Sequence, residues 1–422
     1  MGEIWIDGSI PLSGKVQIQG SKNAALPMMA AALLHDGVTV LHRCPRIADV
    51  YAMEKILISL GVKTSWDQHT LTLDCRKIKG SEITGKYAQS MRSSVILMGS
   101  MLSRMHKVKI AYPGGCTIGK RPIDLHLKVF QAMGAQIEEE MGNLTALCNG
   151  RMQGTEITFP FSSVGATENG LLAAVKAKGI TRLKNCAAEP EIYHLCRFLQ
   201  AMGSEIRGIG TRELEVRGVQ ALRNVEFTVP TDRIVAGTYL FAAAATRGIV
   251  ELLDAPVEEM GAVLRIYEKM GGQWERNSVK LKADARRIRY PVSDVETACY
   301  PGFPTDMQSI LMSVLLTVEG ESRITERIFE DRYKIVPQLR KMGGCVWING
   351  REAFIRGGHK LTGTRVEAEE LRGGAALVVA GLAAEGRTVI GNSCYVERGY
   401  ENIGYDLSCL GGKIQIKEQV SR

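Results

Sequence analysis

The chain has 422 residues, enough for two or three domains at roughly 100–200 residues each. Hydrophobic residues make up 45% and charged residues 23%, a balance that buries a sizeable core and excludes a disordered chain. The net charge of +8 is scattered, with no run of five or six like charges, so a nucleic-acid stripe is not indicated and an anionic small molecule is the sharper reading.

The start of the chain lacks a basic region followed by an apolar stretch, which argues against a signal peptide. No apolar run approaches the ~20 residues of a membrane span. Ten cysteines fall at positions 44, 75, 116, 148, 186, 196, 299, 345, 394 and 409, with no C-x-x-C pair. That spacing speaks against a zinc ribbon or a dense disulfide scaffold. The expectation is a reduced, cytoplasmic protein in which nine cysteines are buried small hydrophobes and one is reactive.

In chain order, an apolar helical pattern ends at Leu60-Gly61, Met133-Gly134, Met202-Gly203, Met270-Gly271, Met342-Gly343 and Leu410-Gly411. The spacings are 73, 69, 68, 72 and 68 residues, and each glycine sits where a left-handed helix C-cap is wanted. A second series runs in step. Segments such as AALPMMAAALL, SVILMGSMLS, GTYLFAAAATR and GAALVVAGLAAE are apolar around much of the helix and read as buried helices. Each is followed by a strand-like stretch. One unit of helix, strand, helix, strand, usually with a further strand, recurs six times. Six units predict two domains of three, meeting near Thr228–Asp232.

The first turns of the six buried helices fall at Lys22, Arg92, Val164, Arg233, Asp306 and Arg372, and five of these are charged. A basic residue at a helix N-terminus opposes the dipole unless an anion is bound there. One such position reads as solvated surface, but its recurrence predicts an anion site. Four stretches sharpen this: GSKNAALP (Gly20–Pro27), PGGCTIGKRPIDLH (Pro113–His126), GFPTDMQ (Gly302–Gln308) and ERGYE (Glu397–Glu401). Cys116 lies in a glycine-rich loop beside Lys120 and Arg121, cations that favour a thiolate. His126 as a base, and Glu189 with Glu191 as a carboxylate pair, are weaker candidates. The seven histidines show no metal-ligand spacing, and no phosphate-binding P-loop or dinucleotide fingerprint is present.

On these stretches, with SVGATEN (Ser163–Asn169), AEPEI, LRGGAALV and RGYE in the same order, the sequence resembles the enolpyruvyl transferases along essentially its whole length. It is most similar to the branch whose acceptor is UDP-N-acetylglucosamine. The resemblance implies an α/β fold: two inside-out α/β barrel domains, each of three βαβαββ repeats, with the active site in the interdomain cleft. It implies that residues 22–230 form one domain, carrying the Cys116 loop. Residues 1–21 and 231–422 form the other, carrying Asp306, Arg332, Arg372 and Arg398.

The implied reaction moves enolpyruvyl from phosphoenolpyruvate to the 3-hydroxyl of the sugar nucleotide and releases phosphate, the first committed step of peptidoglycan synthesis. By the same resemblance Lys22, Arg92, Arg121, Arg332, Arg372 and Arg398 hold phosphoenolpyruvate. Cys116 supplies a proton to C3, and Asp306 takes the proton of the 3-hydroxyl; Lys22 and Arg398 belong to the catalytic set. Asn23, Arg92, Arg121, Pro122, Ile123, Asp124, Leu125, Ser163, Val164, Gly165, Asp306 and Ile328 fall at nucleotide-sugar positions. No metal or organic cofactor, nucleic acid or membrane span is expected, and a monomer is favoured.

The sequence departs from that pattern at three places. Val235-Ala236 stands where the family often has Glu-Thr, Asp331 replaces a common asparagine, and Gly373-Gly374 is unusual. These leave open a divergent paralogue that only binds the sugar nucleotide, or the related activity on shikimate 3-phosphate. An RNA-end-processing cyclase shares the repeat unit, but should show a nucleotide-linked histidine and a nucleic-acid groove, neither of which is evident.

Overall fold

The computed structural model describes residues 2–83, 91–112, 122–140, 142–277 and 279–417. They divide into two compact units, one drawn from residues 2–19 and 231–417, the other from residues 20–112 and 122–230. The second unit holds helices α1 (Lys22–Ala32), α2 (Ala48–Ser59), α3 (Leu97–Met105), α4 (Asp124–Ala132), α5 (Val164–Ala174) and α6 (Pro190–Ala201). The first holds α7 (Arg233–Thr246), α8 (Gly261–Lys269), α9 (Thr305–Leu315), α10 (Val336–Lys341), α11 (Leu371–Ala383) and α12 (Ile403–Cys409). A 3₁₀ turn, Arg92–Ile96, leads into α3.

The helices alternate between two kinds, and the sequence says why. The odd-numbered ones are rich in Ala, Gly, Leu and Met on every face, and nearly every residue beyond the first turn is buried. Small residues let their backbones approach. A Cβ on Gly99 of α3 would lie 2.8 Å from the Asn169 carbonyl oxygen of α5. Within one unit α7, α9 and α11 pack on one another, and within the other α3 packs on both α1 and α5. The even-numbered helices bury one face only. They end where the Leu-Gly and Met-Gly series places the caps. Gly61, Gly134, Gly203, Gly271, Gly343 and Gly411 all have φ between +80° and +103°, a region that penalises any side chain.

Six four-stranded sheets share one pattern among the described residues: an edge strand parallel to its neighbour, then two antiparallel pairings. In the sheet of Glu156–Thr158, Ile180–Lys184, Glu213–Arg217 and Glu205–Arg207, the second strand lies parallel to the first and antiparallel to the third. Strands such as Thr70–Asp74 alternate buried and half-buried residues, as a sheet with one face on a core must. Each unit has its own hydrophobic core.

Strands distant in sequence close each unit. Val225–Thr228 pairs in parallel with Val38–His42, so the end of that unit returns to its start. In the other unit Ser13–Gln17 lies parallel to Ile249–Leu253. Glu3–Asp7 inserts between Arg387–Gly391 and Lys413–Lys417, antiparallel to both. Glu3–Asp7 and Ser13–Gln17 are therefore parts of the sheets of the sixth and fourth repeats, respectively. No helix among the described residues is long and apolar enough to cross a membrane.

A buried polar link ties α7 to α12: the Tyr239 hydroxyl donates to Asp406 Oδ2 at 2.6 Å. Burial pushes the Asp406 carboxyl up to about 6, with the Tyr239 hydrogen bond opposing the rise and the Glu401 charge adding to it. A carboxyl raised by folding stabilises the fold while protonated, and that contribution is lost as pH climbs from the unfolded value near 4 to about 6. Asp406→Asn keeps an acceptor for Tyr239 and removes the titration. Its melting temperature should rise relative to wild type across that window and hold the gap above it. Thermal unfolding from pH 4 to pH 8 measures this, and a gap that does not change with pH would contradict the assignment.

Candidate functional site

Four of the six predicted first-turn residues, Lys22, Val164, Arg233 and Arg92, open a helix or the 3₁₀ turn, and Asp306 and Arg372 are second residues of theirs. Ser21, Ser163, Asp232 and Glu370 cap four of these starts with side-chain oxygens. The caps satisfy backbone N–H groups that would otherwise be orphaned.

In the unit built on α7, α9 and α11, three of the sequence candidates come together. Asp306 Oδ1 accepts from Arg332 Nη2 at 2.6 Å. Its Oδ2 accepts from Arg372 Nε at 3.1 Å and Nη2 at 2.9 Å. The arginine side chains are 4% and 3% exposed and the Asp306 side chain 25%, so the carboxylate is the part of the cluster that meets solvent. Burial works against the Arg372 charge, but Asp306, Tyr400 and Asp232 more than offset it and hold the guanidinium ionised. Arg332 Nε is buried and has no hydrogen-bond partner among the described residues.

Further side chains brace this cluster. Thr238 donates its one hydroxyl proton to the Ile234 carbonyl at 2.7 Å. Tyr400, 2.7 Å away, must then donate to Thr238 Oγ1, which leaves its own lone pairs toward Arg372 Nη1 at 3.5 Å. Gln19 holds the segment after Arg398, donating to the Gly399 carbonyl and accepting from the Glu401 N–H. Arg398 itself is half-buried at the end of a 3₁₀ turn. Glu326, 1% exposed, accepts from Thr297, Thr305 and the backbone N–H groups of Ile328 and Phe329. It thereby fixes the loop from half-buried Ile328 to Arg332 against the first residue of α9. The sequence reading missed Glu326, Glu370 and Tyr400. Each is one polar residue among many in sequence and becomes notable only through its partners.

In the other unit, Lys22 Nζ pairs with Asp49 Oδ2 at 3.3 Å, with side chains 13% and 7% exposed. Asn23 beside it is half-buried, and Pro27 has no N–H to give the Asn23 carbonyl. Arg92 Nη2 donates to the Pro122 carbonyl at 3.4 Å, which brings these two candidates together. Ile123 and Leu125 are buried, whereas Asp124 is exposed and pairs with Lys128 one turn on. Ser163 caps α5, with exposed Val164 and half-buried Gly165 after it. Cys116 and Arg121 lie outside the described residues.

His126 packs its Cε1 edge 2.8 Å from where a Cβ of Gly165 would be. Asn169 Oδ1 accepts the Gly99 N–H at 2.9 Å, which orients its amide. Its Nδ2 then donates to the Val95 carbonyl at 3.0 Å and to His126 Nδ1 at 2.7 Å. The ring nitrogen that a base would use is already an acceptor, so a general-base role for His126 is not what this geometry favours. Near Glu189 and Glu191, burial raises the Glu168 carboxyl well above its ordinary value, and their like charges add to the rise. Of the three departures, Val235 is fully buried in α7 and Asp331 is exposed, 4.0 Å from Lys334. Among the described residues no group of three or more His, Cys, Asp or Glu could hold a metal ion.

The profile of the EPSP synthase family (3-phosphoshikimate 1-carboxyvinyltransferase) matches residues 6–407. UDP-N-acetylglucosamine 1-carboxyvinyltransferase 2 of Caldanaerobacter subterraneus subsp. tengcongensis is 44% identical over 415 residues, covering 98% of this chain and 99% of that protein. UDP-N-acetylglucosamine 1-carboxyvinyltransferase 1 of Symbiobacterium thermophilum is 43% identical, covering 97% and 94%. Among solved structures, the enolpyruvyl transferase NikO from Streptomyces tendae superimposes with a TM-score of 0.89 at 22% identity, covering 99% of each chain. EPSP synthase from Acinetobacter baumannii gives 0.78 at 20% identity, covering 99% and 100%. These two likenesses establish a shared mixed α/β fold.

The cysteines correct one expectation. Cys44, Cys75, Cys148, Cys186 and Cys196 are buried, but Cys299 and Cys345 are half-buried and Cys394 and Cys409 exposed. Cys394 sits in a short 3₁₀ turn, and Cys409 ends α12, which buries only Ile403, Gly404 and Leu407. Burial pushes Cys75, Cys186 and Cys196 up to about 12. At pH 8 iodoacetamide should therefore label Cys394 and Cys409 in the native protein and spare those three until denaturant is added. Peptide mass mapping reads the outcome, and native labelling of Cys186 would contradict it.

Proposed function

The chain belongs to the EPSP synthase family of carboxyvinyl transferases, and on that premise we propose that it transfers enolpyruvyl from phosphoenolpyruvate to the 3-hydroxyl of UDP-N-acetylglucosamine. Phosphate leaves, and the product commits the sugar nucleotide to peptidoglycan synthesis. The two units are read as inside-out α/β barrels of three βαβαββ repeats, with helices α1, α3 and α5 inside one and α7, α9 and α11 inside the other. The polar clusters of both units are read as acting on the same pair of substrates.

One observation carries the chemical reading: a carboxylate at a buried helix start, both of whose oxygens are held by buried arginines. One of those arginines keeps an unpartnered N–H among the described residues. Phosphoenolpyruvate carries a carboxylate and a phosphate on a small frame. Guanidinium groups suit such oxygens because they offer planar, paired donors. As an anion arrives, Arg332 and Arg372 share their N–H groups with it, and Asp306 regains basicity at the moment a hydroxyl must lose its proton. The electron balance is closed. Cys116 gives a proton to C3, the 3-hydroxyl oxygen bonds to C2, and Asp306 takes the hydroxyl proton. The C2–O bond to phosphate then breaks as the Cys116 thiolate takes a proton back from C3, which restores the double bond, and the proton held by Asp306 passes to the departing phosphate. Lys22, Arg92, Arg121 and Arg398 neutralise the phosphate and carboxylate. Asn23, Pro122–Leu125, Ser163–Gly165 and Ile328 orient the sugar nucleotide. No step calls for a metal or an organic cofactor.

Phosphate release measured with UDP-N-acetylglucosamine, and in parallel with shikimate 3-phosphate, tests the acceptor. Activity on the first and none on the second is expected; the reverse would move the chain to the other branch. Asp306→Asn keeps the shape and removes the base, so turnover should fall by ~10²–10⁴-fold while sugar-nucleotide binding by calorimetry stays largely intact. A variant within threefold of wild type would exclude the role.

Cys116 should form the covalent adduct with fosfomycin, because neighbouring Lys120 and Arg121 attract the phosphonate and favour the thiolate. Cys116→Asp should remain active and resist the drug, since a carboxyl delivers a proton but is a poor nucleophile toward an epoxide. Cys116→Ser should be nearly dead. Phosphate release with and without fosfomycin, plus adduct mapping, decides this. An adduct at another cysteine would remove Cys116 from the mechanism.

A further inference from the structure

Glu370 occupies the N-cap of α11 in extended backbone, with φ −158° and ψ 168°. Helix N-caps favour the short side chains of Ser, Thr, Asp and Asn, so a glutamate there is unusual. It is 9% exposed, and both its oxygens cap: Oε2 accepts the Arg372 N–H at 2.7 Å and Oε1 accepts the Gly373 N–H. The longer side chain also reaches sideways. Oε2 lies 3.8 Å from Arg332 Nη1, while Nη2 of the same guanidinium holds Asp306 at 2.6 Å. Arg332 thus lies between two carboxylates, and its buried Nε has no hydrogen-bond partner among the described residues.

Space for this cap depends on residue 373. A Cβ there would sit 2.9 Å from Glu370 Oε1 and 3.6 Å from Cδ. Oε1 ends a flexible side chain and can shift, but only by loosening its bond from the Gly373 N–H or those of its partner oxygen to Arg372 and Arg332. Glycine in the first turn of a helix lowers helix propensity relative to alanine, and Gly373 has no positive φ to explain it. Its use at this position is to clear the glutamate.

We propose that Glu370 and Gly373 are a matched pair that positions Arg332, and through it the Asp306 carboxylate, for the transfer reaction. Glu370 is a positioning residue rather than a catalytic one. The proposal rests on the reading of Asp306 as the base. It requires that the sign of the Gly373→Ala effect depend on residue 370. In wild type the added methyl displaces the cap. Melting temperature should drop and kcat should fall about ten-fold, the scale of one charge-assisted hydrogen bond at the reacting groups. In a Glu370→Asp background the shorter cap leaves room, so the same change should raise the melting temperature through helix propensity and leave kcat at the Glu370→Asp value.

Glu370→Gln supplies a readout that a merely structural role would not move. Without the Glu370 charge, Arg332 attends to Asp306 alone, which favours the Asp306 anion, and the acid limb of the kcat–pH profile should shift to lower pH. The experiment measures thermal unfolding and phosphate release for wild type, Gly373→Ala, Glu370→Asp, the double variant and Glu370→Gln. A Gly373→Ala effect of the same sign and size in both backgrounds would overturn the pairing. A Glu370→Gln profile superimposing on wild type would overturn the positioning role. Absence of phosphate release in wild type itself would instead remove the transfer reading, and the sign reversal in melting temperature would then still decide whether the pair exists.

Discussion

Asp306 meets two buried guanidinium groups, and much of the surrounding structure follows from the need to keep that arrangement in place. A charge pair at close range is worth about 4 kcal/mol at the effective dielectric typical of protein sites, but taking each ion out of water costs several kcal/mol. Two arginines can sit at 3–4% exposure because Asp306 and Glu370 bring two negative charges to meet them. Asp232 adds a further negative charge toward Arg372, so both guanidinium charges are met, which is the condition for burying them. Remove one member and an uncompensated charge is left inside.

Everything adjacent acts on orientation. Neutral Tyr400, its phenol pushed up by burial, offers Arg372 a lone pair because its own proton is donated to Thr238 Oγ1. Glu326 collects four donors and thereby binds the Ile328–Arg332 loop to the start of α9. These are polar groups in a unit whose helices are otherwise packed with Ala, Leu, Val and Met. Satisfied networks of this kind are rigid because each alternative rotamer would leave a buried donor or acceptor unpaired.

The part of this legible in sequence was the part carried by period. Six glycines at near-equal spacing pointed to six helix ends, since glycine takes positive φ without the penalty a side chain meets there, and the apolar segments between them read as interior helices. Counting back from their ends located Lys22, Arg92, Arg233, Asp306 and Arg372 to within a residue of the observed starts. What period could not carry was the closure by Glu3–Asp7, Ser13–Gln17 and Val225–Thr228. A five-residue strand has no signature of its partner, and the repeats looked complete without it. Nor could it carry Glu370, Glu326 or Tyr400, whose meaning lies in what they touch. The exposed Cys394 and Cys409 show the converse error: the general tendency of cysteine toward burial does not say which face of a turn or of a one-sided helix a given cysteine occupies.

Repetition also explains how one architecture assembles so specific a cluster. Four of the six odd-numbered helix starts are capped by side chains, those of Ser21, Ser163, Asp232 and Glu370, whereas α9 starts after Pro304 without one. The residues in these first turns differ: lysine, valine, arginine, aspartate and arginine again at equivalent places. An aspartate at the second position of α9 is favoured by the helix dipole, whereas Arg372 at the second position of α11 is opposed by it. Each makes the other tolerable, because the carboxylate of one start neutralises the guanidinium of the next at 2.9 Å. Packing α7, α9 and α11 together is what brings those starts within reach, so the small residues that permit close helix approach are as much a condition of the chemistry as the charged residues themselves.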